Sequence, residues 1–218
     1  PAPRIHIAVH ADEKAEVRNW NDVQLEWENM RSHWNWKEGE TVRVAVYTNC
    51  ERVVLLLNGR PVGSKVRSES DCCRIPFEFA YAPGELTANG YNGDKLAATG
   101  TLVTAGKPVE LRLRAERTAI APDGLGHAEI ALFDAAGTRC AVTDAVVHLR
   151  VSGDGSLFGV SNGDTTSPQP FKSNAVRLFE GRALAVVRAG LRPGECRLRA
   201  VCEIDGAELA SELAFSVG

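Results

Sequence analysis

The sequence predicts an all-β protein of two tandem β-sandwich domains with an irregular N-terminal lead-in, and three observations support this fold class. From Thr41 onward, short segments alternate apolar and polar residues, which is the pattern of strands with one buried face. Turn residues separate these segments about every 8–12 residues, the spacing typical of a sandwich. Hydrophobic residues make up 44% of the 218-residue chain and charged residues 24%, as is usual for a globular protein.

The first predicted domain covers residues 41–105. Its opening strand, TVRVAVYT (Thr41–Thr48), alternates valine with other residues, and the apolar run VVLLL (Val53–Leu57) suits a strand covered on both faces. Asn58-Gly59 predicts a tight hairpin because both residues tolerate positive φ, and RPVGSKV then returns as the partner strand. Three further strands are predicted between turn residues, at Arg74–Tyr81, Glu85–Tyr91 and Lys95–Val103.

The second predicted domain covers residues 106–218 and begins in the boundary segment Ala105-Gly106-Lys107-Pro108, after which the same rhythm restarts. Its strands are predicted at Val109–Ala115, His127–Asp134, Ala145–Ser152, Arg182–Ala189, Glu195–Ile204 and Glu208–Gly218. The glycine-rich segment Gly153–Gly159 is predicted to be a turn, because it lacks the lysine, the helix and the spacing of a phosphate-binding loop.

Residues 1–40 form the lead-in. The segment PAPRIHIAVH is predicted to hold one strand, in which Ile5, Ile7 and Val9 share a face. Apolar residues from Val17 to Trp34 then recur at spacings of three and four, which favours part-helical structure, although the asparagines of this stretch weaken a helix. The absence of a starting methionine indicates a fragment of a longer protein.

The alternation of each strand also predicts which residues face the interior. Successive side chains of a strand point to opposite faces, so every second residue should be largely buried. The predicted core positions are Val42, Val44, Val46, Leu55, Leu57, Leu111, Leu113, Ile130, Leu132, Val147, Leu149, Val186, Leu198 and Ala200.

Charge and composition argue against several kinds of partner. The net charge is −3 and no basic block stands out, so nucleic-acid binding is not expected. No apolar run approaches the roughly 20 residues that a membrane span needs. The six cysteines form no C-x-x-C pair and have no histidine close in sequence, so we expect free thiols, with no metal and no cofactor.

No motif of a catalytic site is recognisable in the chain. There is no G-x-S-x-G segment that would present a nucleophilic serine. Carboxylates are plentiful, but a retaining glycosidase needs two of them held about 5 Å apart in a pocket, and no set of loops that would hold such a pair can be recognised. No catalytic residue is therefore predicted.

The four tryptophans of the lead-in are the most unusual feature of the sequence. They are Trp20, Trp27, Trp34 and Trp36, and the rest of the chain has none. Such a concentration fits either packing against another domain or a platform on which sugar rings stack. The candidate carbohydrate contacts are these four tryptophans together with Asn162 and Asp164 of the loop Asn162–Asp164.

From Trp34 the order of residues resembles glycoside hydrolase family 2, the β-galactosidase family. HWNWKEGETVRVAVYTNCERVVLLLNGRPVGSK is similar to the module that follows the family's catalytic barrel. Two later segments are similar to the family's final immunoglobulin-like domain: IAPDGLGHAEIALFDAAGTRC and VSGDGSLFGVSNGDTTSPQPFKSNAVRLFEGRALAVVRAG. The residues that carry the first resemblance are Trp34, Trp36, Gly39, Glu40, Thr48, Asn49, Cys50, Asn58, Gly59 and Gly63.

The resemblance implies two immunoglobulin-like sandwiches from the C-terminal end of a hydrolase of β-linked sugars. The family's two catalytic glutamates come from the barrel, so this fragment should be a non-catalytic accessory that supports the barrel, the substrate entrance or oligomer contacts, in a periplasmic or secreted parent. Two alternatives remain open: a carbohydrate-binding module with an exposed tryptophan platform, and an independent β-sandwich lyase or hydrolase.

Overall fold

The structure, a computed structural model, describes residues 1–11, 18–20, 23–25, 29–68 and 72–218. The chain folds into two compact units, Pro1–Thr104 and Ala105–Gly218. All regular elements in the described ranges are strands, which confirms the prediction of an all-β fold. The finer prediction of an immunoglobulin-like strand arrangement stays a prediction.

The first unit consists of two antiparallel sheets with a core between them. One sheet has the order β4-β1-β5-β8 and the other the order β10-β9-β6-β7, while β2 and β3 form a separate hairpin. The strands are β1 (Ile5–His10), β2 (Arg18–Trp20), β3 (Val23–Leu25), β4 (Met30–Arg31), β5 (Thr41–Thr48), β6 (Arg52–Leu57), β7 (Arg60–Val66), β8 (Arg74–Ala80), β9 (Glu85–Asn92) and β10 (Lys95–Val103).

The residues before Thr41 contribute directly to this sandwich. Strand β1 pairs with β5 and, on its other side, with β4, so part of the lead-in completes a sheet. Its residues Ile7 and Val9 are buried together with Trp34 in the same core as Val44 and Leu55. The part-helical expectation is wrong where the backbone is described, because Arg18–Trp20, Val23–Leu25 and Met30–Arg31 are strands.

The Thr-Asn-Cys segment at the end of β5 holds the start of the chain. The Thr48 hydroxyl donates to the Arg4 carbonyl at 2.7 Å and accepts from the Cys50 amide at 3.0 Å. Asn49 accepts from the Arg4 amide at 2.7 Å, and its side-chain amide donates to the Ala2 carbonyl at 2.9 Å. Thr48 and Asn49 thus extend the pairing of β1 and β5 beyond the regular strands.

The predicted hairpin at Asn58-Gly59 joins β6 to β7. Asn58 has a φ of 51° and Gly59 a φ of 75°, the left-handed values that a tight two-residue hairpin requires. The Asn58 side chain also crosses to the neighbouring turn, where it donates to the Pro83 carbonyl at 2.9 Å and accepts from the Glu85 amide at 2.8 Å. One asparagine therefore fixes two turns of the same sheet.

Strands β7 and β8 are edge strands of the two sheets and lie beside each other. Each carries a proline, Pro61 in β7 and Pro76 in β8. Lys65 of β7 spans the gap, since its ammonium group donates to the Pro76 carbonyl and lies 5.2 Å from the centre of the Phe77 ring. The Lys65 side chain therefore bridges the gap between the two edge strands on this side of the sandwich.

The second unit has a four-stranded sheet of order β11-β13-β17-β15 and a five-stranded sheet of order β12-β19-β18-β14-β16. All pairings are antiparallel except β12 with β19. The strands are β11 (Pro108–Arg114), β12 (Ala119–Ile120), β13 (Leu125–Asp134), β14 (Val146–Gly153), β15 (Gly155–Ser161), β16 (Ala175–Arg177), β17 (Arg182–Ala189), β18 (Gly194–Ile204) and β19 (Ala207–Val217).

Two expectations for the second unit are corrected by the structure. The segment predicted as a turn, Gly153–Gly159, mostly belongs to strand β15, which forms the edge of the four-stranded sheet. In β17 the buried residues are Ala183, Ala185, Val187 and Ala189, so the predicted core residue Val186 lies on the opposite face and is only half-buried. The other predicted core positions are buried or pack against the core, as expected.

Candidate functional site

Trp34 is a core residue of the first unit. Its side chain is 0% exposed, and its ring contacts Tyr81 edge-on at 4.9 Å between centroids. The indole N–H donates to the Ala82 carbonyl at 3.1 Å. Hydroxyl groups of Tyr81 and Thr104 donate to the Trp34 carbonyl at 3.2 and 2.7 Å. Because it has no surface to offer a sugar, Trp34 is removed from the candidate contacts.

In the described part of the lead-in, the other tryptophans do not form an exposed platform for a sugar ring either. Trp36 is half-buried, packs against the same core, and stacks on the His33 ring at 4.9 Å with an interplanar angle of 20°. Its indole nitrogen is shielded from solvent. Trp20 belongs to strand β2, and nothing further is described for its side chain, while Trp27 lies outside the described residues.

Asn162 and Asp164, the remaining candidates, come together at a surface pocket of about 230 Å³ in the second unit. The Asn162 side chain donates to the Arg177 carbonyl at 3.0 Å and accepts from the Asp164 amide at 3.0 Å. The Asp164 carboxylate accepts from the amide and the hydroxyl of Thr166 at 2.9 and 2.7 Å. Both side chains therefore shape the loop that follows β15.

The far side of this pocket is fixed by Gln169. Its side chain donates to the Ala175 carbonyl and accepts from the Arg177 amide at 3.1 Å, so it attaches the returning chain to strand β16. The Phe171 carbonyl accepts from the Val160 amide at 2.8 Å, which ties the same segment to strand β15. The pocket walls are thus held to two strands by hydrogen bonds.

Phe171 is the residue at this pocket that sequence reasoning missed. It lines the pocket although it is 71% exposed, an unusual position for a large aromatic side chain. The other lining residues are mainly small or polar, and among the described residues Asp164 is the one charged member of the lining: Val160, Ser161, Asn162, Gly163, Asp164, Thr165, Ser167, Gln169, Phe171 and Val176. The available signal was the aromatic residue in the polar segment DTTSPQPFKSN.

Asp134 is the most fully enclosed carboxylate among the described residues of the second unit. It accepts from the amides of Gly106 at 2.7 Å, Ala136 at 3.0 Å and Thr138 at 2.7 Å. These donors, Gly106 first, hold the pKa of Asp134 below its usual value. These bonds connect the turn after β13 to the segment that leads into β11. The carboxylate therefore organises this turn and does not present a free acid to solvent.

Within the described residues, the thiols and charged groups do not assemble into a metal centre. All six cysteines are free in the structure: Cys72 and Cys73 are exposed, and Cys50, Cys140, Cys196 and Cys202 are buried. Burial raises the pKa of the Cys140, Cys196 and Cys202 thiols, which favours their unreactive protonated form. Within the described ranges, no group of three or more histidine, cysteine or acidic residues could hold a metal ion.

Two family models match the chain. The model described as glycoside hydrolase family 2 C-terminal domain 5 matches residues 111–207, within the second unit, and a domain of unknown function (DUF4982) matches residues 39–98, within the first. The chain carries a C-terminal domain of glycoside hydrolase family 2. This confirms the resemblance to that family found in the sequence.

Relatives and solved structures agree with the family assignment. A β-galactosidase of Bacteroides ovatus is 31% identical over 187 residues, covering 84% of this chain and 22% of that protein. A β-glucuronidase of Formosa agariphila is 28% identical over 128 residues, covering 56% of this chain and 13% of that protein. A family 2 member from Bacteroides cellulosilyticus superposes with a TM-score of 0.86 at 30% identity, covering all of this chain and 28% of that one.

The chain therefore spans only 13–28% of the length of these three proteins. The match to the Bacteroides cellulosilyticus structure covers all of this chain, so the likeness includes the strands before Thr41. In the described part of the chain, no helix has the length and hydrophobicity that crossing a membrane demands.

Proposed function

We propose that this chain is a non-catalytic accessory region of a family 2 glycoside hydrolase, and that the bond-breaking residues belong to another part of the enzyme. The match of a C-terminal domain model to residues 111–207, in a chain that spans 22% of a β-galactosidase, carries this proposal. In such an enzyme the two units would support the catalytic barrel, one wall of the substrate entrance or an oligomer contact.

The packing of conspicuous side chains supports a structural role. Trp34, Thr48 and Asn49 come from segments that resemble the family, and each is occupied by hydrogen bonds within the first unit. Asp134 serves the same purpose in the second unit, where three backbone amides surround it. Groups engaged in this way stabilise a turn or a strand and are unsuited to bind a reacting sugar.

An activity assay tests the proposal. The 218-residue chain should release no nitrophenol from nitrophenyl β-galactoside or nitrophenyl β-glucuronide, while the β-galactosidase of Bacteroides ovatus, assayed in parallel, reports that the conditions are suitable. Turnover that copurifies with the chain, and that disappears when one of its carboxylates is replaced by the amide, would contradict the accessory role.

A further inference from the structure

The pocket beside Phe171, lined by residues between Val160 and Val176, combines three features of a small-ligand site. It is concave, it has an exposed aromatic ring, and its polar walls are built in advance. A pocket of about 230 Å³ is slightly smaller than those that enclose drug-sized molecules, which start at about 300 Å³, so its natural occupant is a small ring.

The walls are rigid enough to bind without first being ordered. Asn162 bridges the Arg177 carbonyl and the Asp164 amide, Gln169 holds the Arg177 amide, and Phe171 is attached to β15 through its own carbonyl. Ordering a side chain on binding costs about 0.5–1.5 kcal/mol, and the hydrogen-bonded side chains of Asn162 and Gln169 have already lost that freedom in the folded protein.

The chemistry of the lining selects the ligand class. An aromatic face packs well on the C–H face of a sugar ring, and neighbouring hydroxyl groups can exchange hydrogen bonds with the ring's own hydroxyls. Ser161 and Thr165 supply such hydroxyls at this pocket. In the part of the chain that the structure describes, no lysine or arginine lines it and Asp164 does, so an anionic ligand would meet repulsion without a cationic partner.

We propose that this pocket binds a single neutral sugar residue, with the Phe171 ring as the stacking face and the Ser161 and Thr165 hydroxyls as hydrogen-bonding partners. The inference is independent of the accessory role, because a domain without catalytic residues can hold a substrate branch or chain end near the enzyme. The proposed stacking residue, Phe171, lies in the second unit, whereas the tryptophans predicted as sugar contacts lie in the first.

A titration followed by two-dimensional NMR tests this proposal. The 218-residue chain would be titrated with D-galactose, D-glucose and D-xylose, and at least one should cause saturable shifts confined to residues 160–176. Phe171→Ala should weaken that binding about tenfold or more, the loss of about 1.4 kcal/mol. Phe171→Trp should preserve it, because the larger indole still offers an aromatic face.

Two controls make the outcome decisive. Phe158→Ala removes a second exposed phenylalanine, at 48% exposure, that does not line this pocket, and it should leave the affinity unchanged. D-glucuronate should bind more weakly than D-glucose because of Asp164. Absence of saturable shifts with all three sugars, shifts that map elsewhere, or binding that survives Phe171→Ala would each overturn the proposal without affecting the accessory role.

Discussion

Asn58 shows how much one residue of this protein can determine. Its backbone takes the left-handed conformation that the β6–β7 hairpin needs, and its side chain joins the Pro83 carbonyl and the Glu85 amide. Gly84 leaves room for it, since a Cβ built on that glycine would come 1.9 Å from the Asn58 side-chain oxygen. Backbone conformation and side-chain bonding are therefore separable contributions.

Substitutions at Asn58 should separate these two contributions. Asn58→Gly keeps the φ but loses both hydrogen bonds, which should lower the free energy of unfolding by about 1–3 kcal/mol at about 0.5–1.5 kcal/mol per bond. Asn58→Ala should cost about 1 kcal/mol more, because alanine disfavours the left-handed region. Urea denaturation of the three proteins measures both differences, and equal stability of the glycine and wild-type proteins would show that the side-chain bonds are unimportant.

Asp134 makes the stability of the second unit depend on pH. Three backbone amides favour its charged form and hold its pKa below the unfolded value of about 3.9. A lowered pKa in the folded state means that the stabilisation is complete above the unfolded pKa, and that it is lost as the pH falls through the folded one.

The variant Asp134→Asn should reveal this dependence. An amide cannot accept from all three N–H groups without bringing its own donors towards them, so the variant should unfold more easily than the wild type near neutral pH. That difference should begin to shrink as the pH falls below about 3.9, where Asp134 of the unfolded wild type takes up a proton. It should disappear once the pH has also passed the lower pKa of the folded state. Denaturant titrations across this range are the measurement, and a difference that is constant with pH would refute the assignment.

At the scale of elements, regular strands were predicted well from the sequence. Strands whose glycines pack closely against a neighbouring strand were predicted poorly. The strands Thr41–Thr48, Lys95–Val103 and Arg182–Ala189 have the predicted bounds, because alternation and turn residues mark them locally. Strand β15 was missed because its glycines resemble a loop. A Cβ on Gly155 would lie 2.9 Å from the Cys196 Cβ, a contact that only the tertiary fold creates.

Two further elements show why the local pattern was insufficient. In β17 both Val186 and Val187 are apolar, so hydrophobicity does not tell which of them faces the core, and the structure selects the face of Ala183 and Ala185. In the lead-in, spacings of three and four suggested a helix, yet short strands form there because β4 completes a sheet beside β1. Pairing partners decided both cases.

Part of the candidate site, Asn162 and Asp164, could be predicted from the sequence. Asn162 and Asp164 belong to a polar loop between strands, and the structure places both at a pocket. Phe171 was missed because its proximity to Asn162 depends on the hydrogen bond between its carbonyl and Val160. Trp34 was misassigned because a tryptophan that fills a core and one that meets a sugar have the same sequence signature.

At the scale of the whole molecule, the chain consists of two units with separate cores. Trp34, Leu55 and Leu86 belong to the first core, while Ile130 and Phe215 belong to the second. The division falls between Thr104 and Ala105, immediately beside the predicted boundary segment. Each core is formed by residues of its own unit.

This organisation predicts that residues 105–218 fold when produced alone. About 110 residues are enough for an independent domain, and the unit keeps both of its sheets and Asp134 with its partners. Dispersed amide signals that match those of the same residues in the longer chain, together with one cooperative unfolding transition, are expected. A collapsed spectrum without a cooperative transition would show that the second core depends on the first unit.

The side-chain closure between β7 and β8 bears on self-association. Exposed edge strands readily recruit a strand from another molecule, and prolines and inward-reaching lysines are among the devices that discourage such recruitment. Pro61, Pro76 and Lys65 occupy both edges on that side of the first sandwich. These residues should therefore disfavour polymerisation of the protein through the exposed edges of β7 and β8.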